Sequence, residues 1–313
     1  LDNTRIFHNR YKKPDPVIRD LADIFIRFSG HRPGDESSRN RMALENTIRD
    51  TLEQRGRLDM VLPAFPFKSP NRDTKVLGTE PDFGEQVALG TLGNLCAALK
   101  NSVEVKLHIV SDGHVFNDLL GVPDDAVDRY FHALKDMNRS PDISFLRLKD
   151  LLGEGTVDSH RRSIMEQFAE NRDDLVRRIH TQENDRILYT GMKRFMAEEM
   201  ARDPRESEKS YQNRCGNLAK DVTRRSDAYS RLIEQRLPGM FRLSIHPRPD
   251  WSKKVPVRLV PSPDRWATPW HNAPVYDPER QTTTLMHKAD AEEKGYSLEY
   301  KDTQPWRYII PHA

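Results

Sequence analysis

The feature that most constrains this chain is a change of hydrophobic period in its first half, where short apolar runs alternate with stretches of helical spacing. Met60, Val61, Leu62, Ala64 and Phe65 form a run that stops at Pro66, as a buried strand would. Val87, Leu89, Leu92, Leu95 and Leu99 then follow helical spacing across residues 84–100. Val103, Val105, Leu107, Ile109 and Val110 alternate before running together as a second strand, closed by the turn residues Ser111, Asp112 and Gly113. A helix over 124–137 and a third strand at 143–148 complete the series. Strand, helix, strand, helix, strand predicts a mostly parallel sheet with right-handed crossovers, because twisted strands accept helices in one hand.

Two helices are expected upstream, over 17–28 and 40–54. Residues 159–236 read as almost wholly helical and charged, with Ile164, Phe168, Leu175 and Ile179 on one stripe and Phe195, Met196 and Met200 on another. Short strands at 241–245 and 255–260 are expected to return to the same sheet, and no element is assigned to the last thirty residues. The expected fold class is α/β: a Rossmann-like, mostly parallel sheet flanked by helices, with a large helical insertion. As domains, this gives an N-terminal α/β part over 1–158, a helical subdomain over 159–237, and C-terminal strands and tail over 238–313.

Composition narrows the function class. The 313 residues can bury a sizeable core, and 50 basic against 48 acidic side chains leave a net charge of +2, a poor basis for a nucleic-acid partner. No apolar stretch approaches the ~20 residues of a membrane span. Arg5, Arg10, Lys12, Lys13 and Arg19 interrupt any signal-peptide pattern, so a cytoplasmic enzyme with no membrane partner is expected. Cys96 and Cys215 are too few for a disulfide framework or a thiolate zinc site. The histidines form no His-Glu-x-x-His pattern, and the glycines at 78, 84, 90 and 93 lack the dinucleotide order, so neither a metal nor a redox cofactor is expected. His114, His132, His160 and His180 read as local hydrogen-bonding residues.

Ligands in open α/β sheets bind beyond the carboxyl ends of the strands. The first strand is followed by Lys68, Ser69 and Asn71, with Lys75 further on, a set suited to a phosphate or sugar phosphate, although an ordinary polar turn with two prolines has the same sequence. It is not a P-loop. The second is followed by Ser111 and Asp112, and the two loops should meet. Asp112 could orient a hydroxyl or merely cap the next helix. Beyond 241–245 stand His246, an acid/base candidate, and Arg248. Trp270 and His271 could flank an amino-acid substrate or close a turn.

Several blocks carry a family resemblance. Pro63 to Asn71, Lys75-Val76-Leu77-Gly78, Pro81-Asp82-Phe83-Gly84-Glu85, Ser111 to Asp118, Tyr189 to Phe195, Arg242 to Pro247 and Thr268-Pro269-Trp270-His271 occur in series. They resemble the isocyanide synthases of the pyoverdine/dityrosine biosynthesis family over roughly residues 15–275. The resemblance implies an enzyme that joins the α-amine of an amino acid, tyrosine first, with tryptophan, valine or leucine as other substrates, to the ketone of ribulose 5-phosphate. The sugar's C2 becomes the isocyanide carbon, and no cofactor is implied beyond that co-substrate.

Fitted to that chemistry, Lys68, Asp112, His246 and His271 are the catalytic candidates. Ser69, Asn71, Lys75, Ser111, Arg248 and Trp270 are the substrate-binding candidates. Lys68, Ser69, Asn71 and Lys75 would hold the sugar phosphate, Arg248 a carboxylate or phosphate, and Trp270 would wall the amino-acid pocket. Lys68 could instead carry a transient imine if neighbouring cations lowered its pKa. The alternatives are a formyl-tyrosine-forming member of the same family and a non-catalytic sugar-phosphate module. The start at Leu1 and end at Ala313 suggest a domain excised from a larger fungal protein, with fused or partner oxygenase or peptide-synthetase-like domains.

Overall fold

The computed structural model describes residues 15–31 and 38–311; Leu1, Arg5, Arg10, Lys12, Lys13 and Ala313 lie outside the described residues. Its helices are α1 (Pro16–Phe28), α2 (Ser38–Arg55), α3 (Phe83–Lys100), α4 (Gly113–Phe116), α5 (Asp124–Met137), α6 (Leu148–Leu152), α7 (Val157–Phe168), α8 (Arg172–Thr181), α9 (Glu183–Glu199), α10 (Glu208–Arg236) and α11 (Lys288–Glu293). The strands of the first sheet are β1 (Leu58–Pro63), β2 (Val105–Val110), β3 (Ile143–Leu146), β4 (Phe241–Ser244) and β5 (Val255–Pro256). They lie in the order β3-β2-β1-β4-β5, every pair parallel, with Met60 opposite both Leu107 and Phe241.

Alternate residues of β1 serve opposite layers. Leu58, Met60 and Leu62 join α1, α2, α3 and α5 in one core, whereas Val61 and Val110 meet Tyr229, Leu232 and Ile233 of α10 on the other face. A strand covered on both faces reads as an apolar run, broken in β1 by Asp59, which pairs with Arg55 and Arg57 at its amino end. Local signals fix the flanking helices. Asp15 accepts from the Val17 N–H at 2.9 Å ahead of Pro16, starting α1, and Asp82 and Glu85 form a reciprocal capping box that starts α3. Phe25 of α1 stacks on Phe241 of β4 at 4.6 Å, and removing a ring so buried costs about 3–5 kcal/mol.

The expected strand at 255–260 is shorter than its apolar run. Only Val255 and Pro256 pair with β4, and Pro256 has no N–H to extend the ladder, which suits a sheet edge. The last forty residues hold elements the sequence pattern did not reveal: β6 (Ala273–Asp277), β7 (Thr282–Met286), β8 (Ser297–Lys301) and β9 (Gln304–Ile309), a second sheet in the order β7-β6-β9-β8. β8 is mostly exposed and β7 is a run of threonines, so neither carries an alternating apolar face. Among the described residues no helix is long and apolar enough to cross a membrane.

Strand order reverses between β1 and β4. The chain winds outward from β1 through β2 to β3, then returns through α6–α10 to β4 on the other side of β1. In open α/β sheets the carboxyl edge at such a switch point is the ligand crevice, and here that edge lies between the exits of β1 and β4.

Candidate active site

The loops after β1 and β2 do meet. A Cβ on Gly113 would lie 2.3 Å from the Pro66 carbonyl oxygen, so only glycine permits the approach, and Ser111 Oγ donates to the Phe65 carbonyl at 3.1 Å. Phe65 itself is left-handed, with φ of 59°. Such a conformation costs a non-glycine residue on the order of 1–3 kcal/mol, and here the fully buried ring, 5.0 Å from that of Trp270, holds it in place.

Lys68 is buried and fully engaged. Its Nζ lies 2.7 Å from Asp82 Oδ2, 2.8 Å from Glu85 Oε2 and 2.8 Å from the Pro269 carbonyl, using all three of its donors. Burial alone would lower its pKa, but the two carboxylates outweigh burial and raise it. Its neighbours are therefore carboxylates and not the cations that an imine-forming amine requires. Asp82 is pushed well above the usual carboxylate range by burial, against the pull of Lys68, and Tyr130 donates to Glu85 Oε1 at 2.9 Å. This network ties the β1 loop to the start of α3 and to the 268–271 turn.

Ser69 and Lys75 converge on Glu199, the last residue of α9. Ser69 Oγ donates to Glu199 Oε2 at 2.5 Å and Lys75 Nζ to Oε1 at 2.5 Å, with the Glu199 side chain wholly buried. His271 Nδ1 stands 3.2 Å from the same Oε1, at ion-pair distance but off the line of a hydrogen bond. Burial would raise the Glu199 pKa, yet His271 and Lys75 together draw it down to about 2. The Phe195 ring meets His271 edge-on at 4.8 Å and carries Lys75 Nζ 4.9 Å from its centroid. Asn71 turns outward, its Nδ2 donating to the Glu198 carbonyl at 2.7 Å.

Asp112 and His246, like Thr268 and His271 of the 268–271 turn, each keep a buried side-chain atom without a hydrogen-bond partner. Asp112 makes no side-chain cap bond to α4, and its buried Oδ1 has no partner. Burial raises its pKa to about 7. His246 has a buried, unpartnered Nδ1, and burial, then the charges of Arg248 and His271, lower its pKa to about 4. Its ring lies 5.1 Å from that of Trp266, an indole left 57% exposed. Tyr229 of α10 is buried beneath Asp112, its hydroxyl 3.5 Å from the Ser111 carbonyl. A neutral imidazole and a carboxyl titrating near neutrality can together accept and donate protons at ordinary pH.

The crevice thus brings Ser69, Lys75, Asp112, His246 and His271 to one edge of the sheet, while Lys68 stands behind it as a strut. Trp270 is 2% exposed and sits in the core, with its carbonyl accepting from the Ser69 N–H at 2.8 Å. It supports the β1 loop and offers no open wall. Glu199, Trp266 and Tyr229 were not picked out from sequence. The one signal for Glu199 is its place beside Phe195, Met196 and Met200 on an apolar stripe.

The block from His114 to Asp118 is held from outside by arginines. Arg161 donates to the His114 carbonyl at 2.9 Å and to Asn117 Oδ1 at 2.6 Å, and Arg225 to the Val115 carbonyl at 2.9 Å. A hollow lined by Arg55, Arg57 and Asp59 opens at the opposite, amino end of β1, where the arginines already pair with Asp59. Among the described residues no group of three or more His, Cys, Asp or Glu side chains could hold a metal ion.

Comparison with known proteins finds relatives over most of the chain. Residues 48–299 fit the model of the pyoverdine/dityrosine biosynthesis protein family. The L-tryptophan isonitrile synthase AmbI1 of Fischerella ambigua is 32% identical over 84% of this chain and 83% of its own. An L-tyrosine isonitrile synthase of Pseudomonas aeruginosa is 31% identical over 95% of this chain and 94% of its own. An isocyanide synthase-NRPS hybrid, crmA of Aspergillus fumigatus, is 30% identical over 69% of this chain but only 15% of its own. The crystal structure of PvcA from Pseudomonas aeruginosa superposes with a TM-score of 0.80 at 27% identity, covering 95% of this chain and all of that one. With its doubly wound sheet, its crevice at the switch point and these matches across most of its length, the chain belongs to the pyoverdine/dityrosine biosynthesis family as an isocyanide synthase.

Proposed function

We propose that this enzyme converts the α-amine of an aromatic L-amino acid, tyrosine first, into an isocyanide, taking the new carbon from C2 of ribulose 5-phosphate. The observation that carries the proposal is that the exits of β2 and β4 each hold a buried acid/base atom without a partner, Asp112 Oδ1 and His246 Nδ1. Imine formation joins the amine nitrogen to C2 and releases water, which needs a proton donor to the departing hydroxyl and an acceptor from the nitrogen. Asp112, protonated up to about 7, is the donor. His246, neutral above about 4, is the acceptor. The later steps break the bonds from C2 to its two carbon neighbours and move further protons. His271, held beside Glu199, is the second group able to carry them.

Lys68 has a positioning role in this scheme, because its three donors are spent on Asp82, Glu85 and the Pro269 carbonyl. The exposed Trp266 beside His246 and the Phe195 edge beside His271 supply flat apolar surface for an aromatic side chain. Infrared spectra of the protein incubated with ribulose 5-phosphate and tyrosine, tryptophan, valine or leucine in turn test the proposal. An isocyanide stretch with tyrosine is the expected result. A formamide carbonyl in its place means that the condensation ends one hydration later, and absence of both with every amino acid refutes the proposal.

A further inference from the structure

Three cations collect on the α10 face of β4 and β5, beside the crevice and with little to neutralise them. Arg242 of β4 is 8% exposed; its nearest polar neighbours are the Ser230 carbonyl and Oγ, each at 3.4 Å, and its buried Nε has no partner. Lys254, just before β5, donates to the same Ser230 Oγ at 2.9 Å. Arg248, in the loop between β4 and β5, donates from Nε to Ser244 Oγ at 3.1 Å. Among the described residues, no carboxylate lies within ion-pair distance of Arg248 or Lys254. Two acids stand nearby: Glu234, mostly exposed, 3.5 Å from Arg242, and Asp227, which is shared with Arg178 at 3.7 Å. Burial and the charges of Arg242 and Arg248 lower Lys254 to about 8, and burial lowers both arginines, so the cluster would gain from an anion.

The loop after β1 has the opposite balance. Its two lysines face Asp82, Glu85, Glu198 and Glu199, and a dianion placed there would meet four carboxylates. We propose that Arg242, Arg248 and Lys254, with the Ser230 hydroxyl, form the binding site for a phosphate dianion. In the reaction proposed above, on which this identification of the ligand rests, that dianion is the ester at the far end of the sugar. Arg248 follows His246 by two positions in the loop after β4 and donates to Ser244 at the end of that strand, so a phosphate held by the cluster lies at the same strand exit as His246. Guanidinium and ammonium donors around a phosphate suit this geometry.

Calorimetric titration with inorganic phosphate and with ribulose 5-phosphate tests the site on the wild type and on Arg248→Gln, Lys254→Met and Lys75→Met. The expected result is binding of both ligands by the wild type, weakened about tenfold or more in Arg248→Gln and Lys254→Met, since each lost charged contact is worth about that factor, and by much less in Lys75→Met, which strands Glu199 but removes no phosphate contact. Thermal melts of each variant identify any that fails to fold; Lys254, only half-buried, then carries the test alone. Equal affinity in the wild type and the two cluster variants, or a loss confined to Lys75→Met, overturns the site. Cluster-dependent binding of ribulose 5-phosphate without isocyanide formation leaves the site standing and refutes the reaction instead.

Discussion

Glu199 Oε1 lies 2.5 Å from Lys75 Nζ and joins the end of α9 to the loop after β1, two segments 124 positions apart in the chain. The pair is buried on both sides, so removing one charge strands the other. Glu199→Gln is expected to cost about 3–5 kcal/mol of stability and to reduce turnover at least a hundredfold, because it also releases Ser69 and His271. Denaturant unfolding and initial rates measure the two effects.

The same carboxylate sets an acid limit. Its folded pKa of about 2 lies below the ordinary 4.5, so its stabilisation is present above about 4.5 and is lost as pH falls through 2. By linkage this amounts to on the order of 3 kcal/mol. Stability curves of wild type and Glu199→Gln should converge across that window.

Asp112 has the reverse sign. Its pKa is raised from 3.8 to about 7, so the folded state holds a proton that the unfolded state has released, and stability falls as pH rises across that interval. Asp112→Asn is expected to raise stability by on the order of 4 kcal/mol at pH ~8 while lowering turnover by ~10²–10⁴-fold. In the wild type, the rate should rise through about 4 as His246 loses its proton and fall through about 7 as Asp112 does. A thermal melt and a pH–rate profile test both signs.

Lys68 gives a covalent test. With its ammonium held by two carboxylates and a carbonyl, borohydride reduction during turnover should leave no sugar on Lys68, as read by peptide mass mapping. An adduct at that lysine would restore it as the imine carrier.

Gly113 is where the two loops touch. Gly113→Ala places a methyl group 2.3 Å from the Pro66 backbone oxygen and 2.5 Å from Val127 Cγ1, so the loops must separate. Overpacking of this kind costs about 1–3 kcal/mol, and the displacement of Asp112 next door should lower kcat more than it raises KM.

The main sheet was legible because each of its strands is short, apolar and bounded. Pro66 stops the run after β1, and Ser111 to Gly113 closes β2. The loops after β1, β2 and β4 followed from the same logic, which singled out Asp112 and His246, whereas His271 was singled out only by its place beside Trp270. Glu199 stayed hidden because one glutamate in a charged helical segment looks like any other until α9 folds against Lys75. Lys68 was misjudged for the converse reason: Asp82, Glu85 and the Pro269 carbonyl come from distant positions, and only the fold shows that they surround it. The second sheet escaped notice because β8 is exposed and β6 contains Pro274, so no period of two survives.

The most direct measurement is the fate of the sugar's second carbon. The purified protein is incubated with tyrosine and ribulose 5-phosphate carrying carbon-13 at C2, and the products are trapped with a tetrazine and read by mass spectrometry. The expected product has gained one labelled carbon and lost two hydrogens relative to tyrosine. An isocyanide without the label, or no isocyanide from any amino acid offered, would contradict the proposed reaction.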